Sequence, residues 1–270
     1  MSAAITSELR KLRSTRLWWV LLISMAVGVA FITGSIAFSF AFADELGGTS
    51  ATGEPVMMDP LETARTVYSL PVSFGYVFPV ILGALAVTSE FRHRTIDTTL
   101  LLAPSRARVI AAKFIAVLPF ALLYGVVGMA SGVAVGAGAL MLGGEPTGLD
   151  SVEVWQMLGM SVVALTVWGV VGVGFGSALT NQVVVIVVLL GWTQLVEPIV
   201  RVALAFIEPV AGAAKFLPGA AGEAMAGASF YTSVGAGDLL SPWAGFAVLL
   251  GYAAIAGVIG WLVTFRRDIA

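Results

Sequence analysis

The residues of this 270-residue chain that could do chemistry are few, and they are poorly placed for catalysis. A nucleotide-driven pump needs a G-x-x-x-x-G-K-[ST] loop to cradle phosphates, yet none of Lys11, Lys113 or Lys215 follows a glycine. Any ATP must therefore be handled by another polypeptide. Ser131 and Ser177 each neighbour a glycine, as an intramembrane serine nucleophile would, but a nucleophile needs a base. The only histidine, His93, falls in a basic connection, and neither serine has another obvious base nearby. With no cysteine, disulfides and thiolate metal sites are excluded. No catalytic, cofactor-binding or metal-ligating residue is expected. Within the apolar segments the notable ionisable residues are Glu197 and Arg201, four apart and flanking Pro198, which can pair on one helix face. They form either a mutually neutralising pair near the outer interface or part of an external gate.

The elements that must carry these residues are transmembrane helices. Hydrophobic residues make up 59% of the chain and charged residues 11%, against roughly 45–50% and about 25% in soluble domains. A helix needs about 20 apolar residues to cross the hydrocarbon layer. Six segments supply them, at 18–43, 67–88, 114–141, 157–179, 183–207 and 242–265. The second contains Pro71 and Pro79, which predict a kink. The fold class expected is an all-α membrane protein, one domain over 1–270.

Charge placement sets the orientation, because Lys and Arg resist translocation. Eleven of the 14 basic residues fall in the N-terminus, the connection between the second and third spans, and the C-terminus with Arg266 and Arg267. The opposite side collects Asp44, Glu45, Glu54, Asp59, Glu62, Glu145, Asp150 and Glu153, with Arg65 and Lys215 as basic exceptions. Both termini are expected in the cytoplasm, in a multi-pass protein of the plasma membrane. The rival reading is a signal peptide cleaved after Ala43, but its apolar region is far longer than the 7–15 residues usual there. The net charge of -2 gives no sign of a nucleic-acid partner, and none is expected.

Outside the spans, residues 1–16 place Ile5, Leu9 and Leu12 at helical spacing with charges around the rest of the wheel, as in a helix lying on the inner membrane surface. The Gly-, Thr- and acid-rich stretch 44–60 reads as an external loop. The stretch 209–241 mixes Phe216, Leu217, Met225, Phe230 and Tyr231 with Gly and Ala, and its only charges are Lys215, Glu223 and Asp238. It reads either as short helices re-entering the outer leaflet or as an ordinary loop. Gly128, Gly132 and Gly136, and again Gly172 and Gly176, repeat every four residues and line up small faces for close helix approach, within one subunit or between two.

The connection 89–106 reads SEFRHRTIDTTLLLAPSR, followed by Arg108 and Lys113. It resembles the corresponding loop of ABC-2-type permeases: an acidic residue, an Arg-Thr step, a Leu pair, Pro-Ser-Arg and a following Lys. The opening Ser7 to Arg13, the six spans and the apolar stretch before the last span resemble the same family. The resemblance implies a half-transporter, in which two six-helix subunits (a second copy or a homologous permease) form an export pathway. A separate cytoplasmic ABC ATPase, carrying ATP and Mg, docks beneath each. It also implies that Phe91 to Leu102 form the coupling helix. Phe91, Ile96 and Leu100 are then available to a hydrophobic groove and Arg92, Arg94 and Asp97 to its rim, with Glu90 and Arg106 as further coupling residues. Other classes compatible with the sequence are a secondary transporter or channel, disfavoured by the sparse intramembrane charge, and a non-transporting membrane scaffold or immunity protein.

Overall fold

The computed structural model describes residues 1–42, 59–102, 105–207, 210–233 and 238–264, and all regular structure among them is helical. The loop 44–58, Ala43, Arg266 and Arg267 lie outside the described residues. The amphipathic α1 (Ser2–Ser14) is followed at once by α2 (Leu17–Ala41). The second span is built from α3 (Pro60–Gly75) and α4 (Val77–Arg92). It starts seven residues before the apolar run, because Pro60 occupies the first helical turn and Glu62 and Arg65 lie on early turns that hydropathy alone reads as loop. The interruption at Tyr76 has a local cause: Pro79 has no N–H to give to the Gly75 carbonyl.

A short α5 (Ile96–Leu102) connects to α6 (Arg106–Leu142), which at 37 residues is about 55 Å long and outreaches the hydrocarbon layer. Ser105 caps α6 by accepting from the Arg108 N–H. The helix therefore begins eight residues before the apolar run, and Arg106, Arg108 and Lys113 ride on it rather than on a loop. Next comes α7 (Val152–Ala178). The fifth span comprises α8 (Gln182–Leu190), a π-helical segment (Gly191–Val196) and α9 (Glu197–Ala205). A 3₁₀ turn (Ala211–Phe216), α10 (Pro218–Ala226) and the four-residue α11 (Phe230–Ser233) precede α12 (Pro242–Ile259), which runs into a further π segment to Thr264. Among the described residues, six helical stretches are long and apolar enough to cross a membrane.

The bundle is organised around α7, which packs against α4, α6, α10 and α12. Its closest neighbour is α4. A Cβ at Gly172 would sit 2.2 Å from the Val80 carbonyl oxygen, one at Gly83 would sit 2.1 Å from that of Gly169, and one at Gly176 would sit 2.7 Å from that of Ala84. These two helices meet backbone to backbone, which only glycine permits. On α6, Gly128, Gly132 and Gly136 receive Met25, Pro71 and Val67, so this face is filled from α2 and α3 of the same chain. By contrast, Ile23, Val27 and Phe31 of α2, Val183 and Val187 of α8, and Ile255 and Val258 of α12 point outward. Exposed aliphatic side chains on helices of this length face lipid.

Candidate functional site

Two ionic clusters stand well apart in the bundle, one at the end where α4 stops and α6 starts and one deeper inside, where the fifth span meets α10. The first joins α1, α4, α5 and α6. Lys113, only 1% exposed, donates to Glu8 Oε2 at 2.7 Å and to the Ala86 carbonyl at 3.1 Å, and pairs with Glu90 Oε1 at 2.8 Å. Lys11 donates to Glu8 Oε1 and Glu90 Oε1, both at 2.6 Å, and to Thr99 Oγ1 at 3.3 Å. The two ammoniums and two carboxylates alternate in a closed ring of zero net charge, and each ammonium has three acceptors for its three N–H groups. Neutrality and complete donation are what make a buried lysine tolerable here. Half-burial opposes the Lys11 charge, but the hydrogen bonds and charges of Glu8 and Glu90 outweigh it and raise its pKa above the usual 10.5.

This ring fixes the geometry of the connection read as a coupling element. After α4 the chain reverses in a Schellman-type turn: Thr95 N–H donates to the Glu90 carbonyl at 2.9 Å and Arg94 N–H to that of Phe91 at 3.2 Å. Arg94 takes the left-handed conformation there, with φ of 55°. Helix α5 begins just beyond, so Phe91 and Arg92 belong to the last turn of α4 and not to α5. Ile96 is 3% exposed and joins the chain's own core, which corrects the expectation that it faces a partner's groove; alternation within one helical turn puts Asp97 and Thr98 outside instead. Phe91 is half-buried against that core. Glu90 lies in the ring, where it pairs with Lys11 and Lys113. Arg92 is exposed and donates to Gln182 Oε1 at 3.3 Å, Arg106 opens α6, and the Leu100 side chain lies outside the described residues.

The second cluster brings Glu197 and Arg201 together as their spacing foretells, with a partner that spacing alone does not reveal. Arg201 donates to Glu197 Oε1 through Nη2 at 2.8 Å and Nε at 3.2 Å, and through Nη1 to Glu223 Oε2 at 2.7 Å. Glu223 also accepts from Ser229 Oγ, and the Tyr231 ring lies 5.0 Å from the guanidinium. Glu197 in turn accepts the Gly219 and Ala220 N–H groups at 3.0 and 2.9 Å, so it caps α10 from another helix. Every residue of α10 is buried. A Cβ at Gly222 would sit 2.6 Å from Trp168 Nε1, and Trp168 lies sixteen residues into α7, about 24 Å along it. Helix α10 therefore re-enters the bundle to mid-depth, and the segment is not an ordinary surface loop. The buried positions Val185, Leu189, Thr193, Glu197 and Arg201 recur every four residues. In a regular α-helix such a row drifts about 40° per step; the wider π segment takes up part of that drift and keeps the pair aimed at α10.

Sequence reasoning missed Glu8, Lys11 and Lys113 as one unit, although a lysine inside Ala-Ala-Lys-Phe-Ile is itself a signal that a carboxylate must be near. It also missed Glu223, whose signal was its isolation in a Gly/Ala-rich run. Among the described residues, no group of acidic or histidine side chains could hold a metal ion.

A family model described as ABC-2 family transporter protein matches residues 4–207, which covers the first cluster and the Glu197/Arg201 pair but stops short of α10. No curated protein matches the chain.

Proposed function

The chain belongs to the ABC-2 family of transporter proteins, and we propose that it is the permease subunit of an ATP-driven exporter, paired with a second permease and moved by a separate cytoplasmic ATPase. The observation that carries the proposal is the first cluster. A short helix outside the spans, α5, is tied through Thr99 and the ring to α1, to the end of α4 and to the start of α6. A push on α5 or α1 is thereby delivered to two spans at once. ATP and Mg reside on the partner, and its closure supplies the push.

In this reading the partner contacts the exposed face of the connection, at Arg94, Asp97 and Thr98, with half-buried Phe91 beside it. Rim charges tune such docking more than they provide its energy. Both termini lie on the ATPase side of the plasma membrane. The second cluster locks α10 at mid-depth: while Arg201 bridges Glu197 and Glu223, α10 stays plugged between α7 and α12. A buried surface that is largely apolar suits an apolar or amphipathic cargo.

The test is a crosslink. The chain has no cysteine, so a single one introduced by Thr98→Cys reports cleanly. It should crosslink to the ATPase in the assembled complex, while Phe91→Asp should insert normally yet lose the partner. A Thr98→Cys probe that never reaches an ATPase subunit overturns the assignment.

A further inference from the structure

We infer that a cavity beside the first cluster is a binding site for the phosphodiester headgroup of an anionic phospholipid drawn from the leaflet at that end of the bundle. The cavity, about 660 Å³, opens between α1, the start of α2, the end of α4 and Gln182 at the head of α8. Its walls are ordered as a phospholipid is. Leu12, Leu17, Leu82 and Leu85 line the apolar part, and Arg16 and Arg92 supply the charge. The cavity's level along the bundle is marked by Trp18 and Trp19 on the first turn of α2, since tryptophan collects where headgroups meet hydrocarbon.

Charge accounting selects the ligand. The carboxylates that reach this cavity, Glu8 and Glu90, are already neutralised by Lys11 and by Lys113 behind them. What remains uncompensated is cationic. The Arg16 guanidinium has no hydrogen bond or ion pair among the described residues, and Arg92 spends one N–H on Gln182 and keeps the others. Two guanidiniums fit phosphate oxygens in forked pairs that a single ammonium cannot match. A zwitterionic lipid brings a second cation into the same space and no carboxylate is left to receive it, so anionic headgroups are preferred. The site requires only that this end of the bundle lies at a membrane surface; it does not depend on the ATPase assignment.

The experiment uses the full chain purified in detergent, with phosphatidylglycerol or phosphatidylcholine added at equal concentration and bound lipid counted by native mass spectrometry. Phosphatidylglycerol should be retained over phosphatidylcholine. The double variant Arg16→Gln/Arg92→Gln should cut that preference by about ten-fold or more, at about a kcal/mol per interfacial cation. Arg13→Gln, exposed on α1 but outside the cavity lining, should leave it unchanged. Equal retention of the two lipids, or an unaltered preference in the double variant, overturns the proposal. Displacement of phosphatidylglycerol by equimolar glycerol phosphate would assign the site to a free phosphate ester and overturn the lipid source. Loss of ATPase co-purification in the double variant with unchanged lipid retention would assign the cavity to protein docking, with the same consequence.

Discussion

Lys113 shows how much a single residue can depend on distant ones. Its side chain is buried, and it is held by a carboxylate 105 residues earlier and by another in α4. Hydropathy reads it as one more positive charge in a basic connection. Only the folded chain reveals that its charge is spent internally. The same is true of Ile96, whose apolar type marks it for burial but does not say against what. In the same ring, Lys11 has its folded pKa raised, so it contributes stability that is complete below the unfolded value of 10.5 and is lost as pH climbs through the raised one. We therefore expect the attachment of α1 to be constant across neutral pH and to fail only above about 10.5. Spin labels introduced by Thr6→Cys and Thr98→Cys should keep one sharp distance from pH 6 to 9 and broaden beyond that limit. Broadening near neutrality would show that the ring does not hold α1.

At the scale of elements, the six spans were legible because their apolar runs are long. Their ends were not, because Glu62, Arg65, Arg106 and Lys113 sit on helices that continue past the apolar stretch. The re-entrant α10 was half legible: its Gly and Ala content permitted close packing, whereas its depth depends on Trp168 and on the cap that Glu197 supplies. That cap makes the three charges of the second cluster interdependent. Arg201→Ala should be the most damaging single change. It leaves two carboxylates facing each other without a counter-ion, where breaking a buried pair costs about 3–5 kcal/mol. Glu223→Gln keeps the shape and the hydrogen-bonding group and should cost less. The triple variant Glu197→Gln/Arg201→Met/Glu223→Gln, with no charge left, should recover much of the loss. Thermal unfolding in detergent, followed by size-exclusion, ranks the three. If Arg201→Ala unfolds no earlier than the wild type, the cluster is solvated and holds nothing.

Across the whole molecule, burial is uneven. The α3–α4 span and α7 are the most buried, while α2, the α8–α9 span and α12 turn large apolar faces outward. The glycines of α4 and α7 interlock two backbones and leave no room for one to slide past the other. Rearrangement during transport is accordingly expected in the outer helices, with this pair moving as a rigid unit. The proposed orientation has a direct check: reporter fusions after Arg108 should remain cytoplasmic and those after Glu145 should be exported. The reverse pattern would invert the molecule and move the ATPase face to the other end.

The ring of Glu8, Lys11, Glu90 and Lys113 also has a meaning in time. A ribosome delivers its members in order, and the fourth emerges 105 residues after the first. At about 5–20 residues per second, that is an interval of several seconds or more. Throughout it, α1 carries a carboxylate that has yet to meet Lys113, and α4 must already be threaded before the ring can close. Closure thus certifies that the first two spans have arrived in the right order and orientation, with the head of α6 on the same side. A nascent chain that inserts one of them wrongly is left with unpaired buried charge, a mark that membrane quality control can read before the second half of the protein has been made.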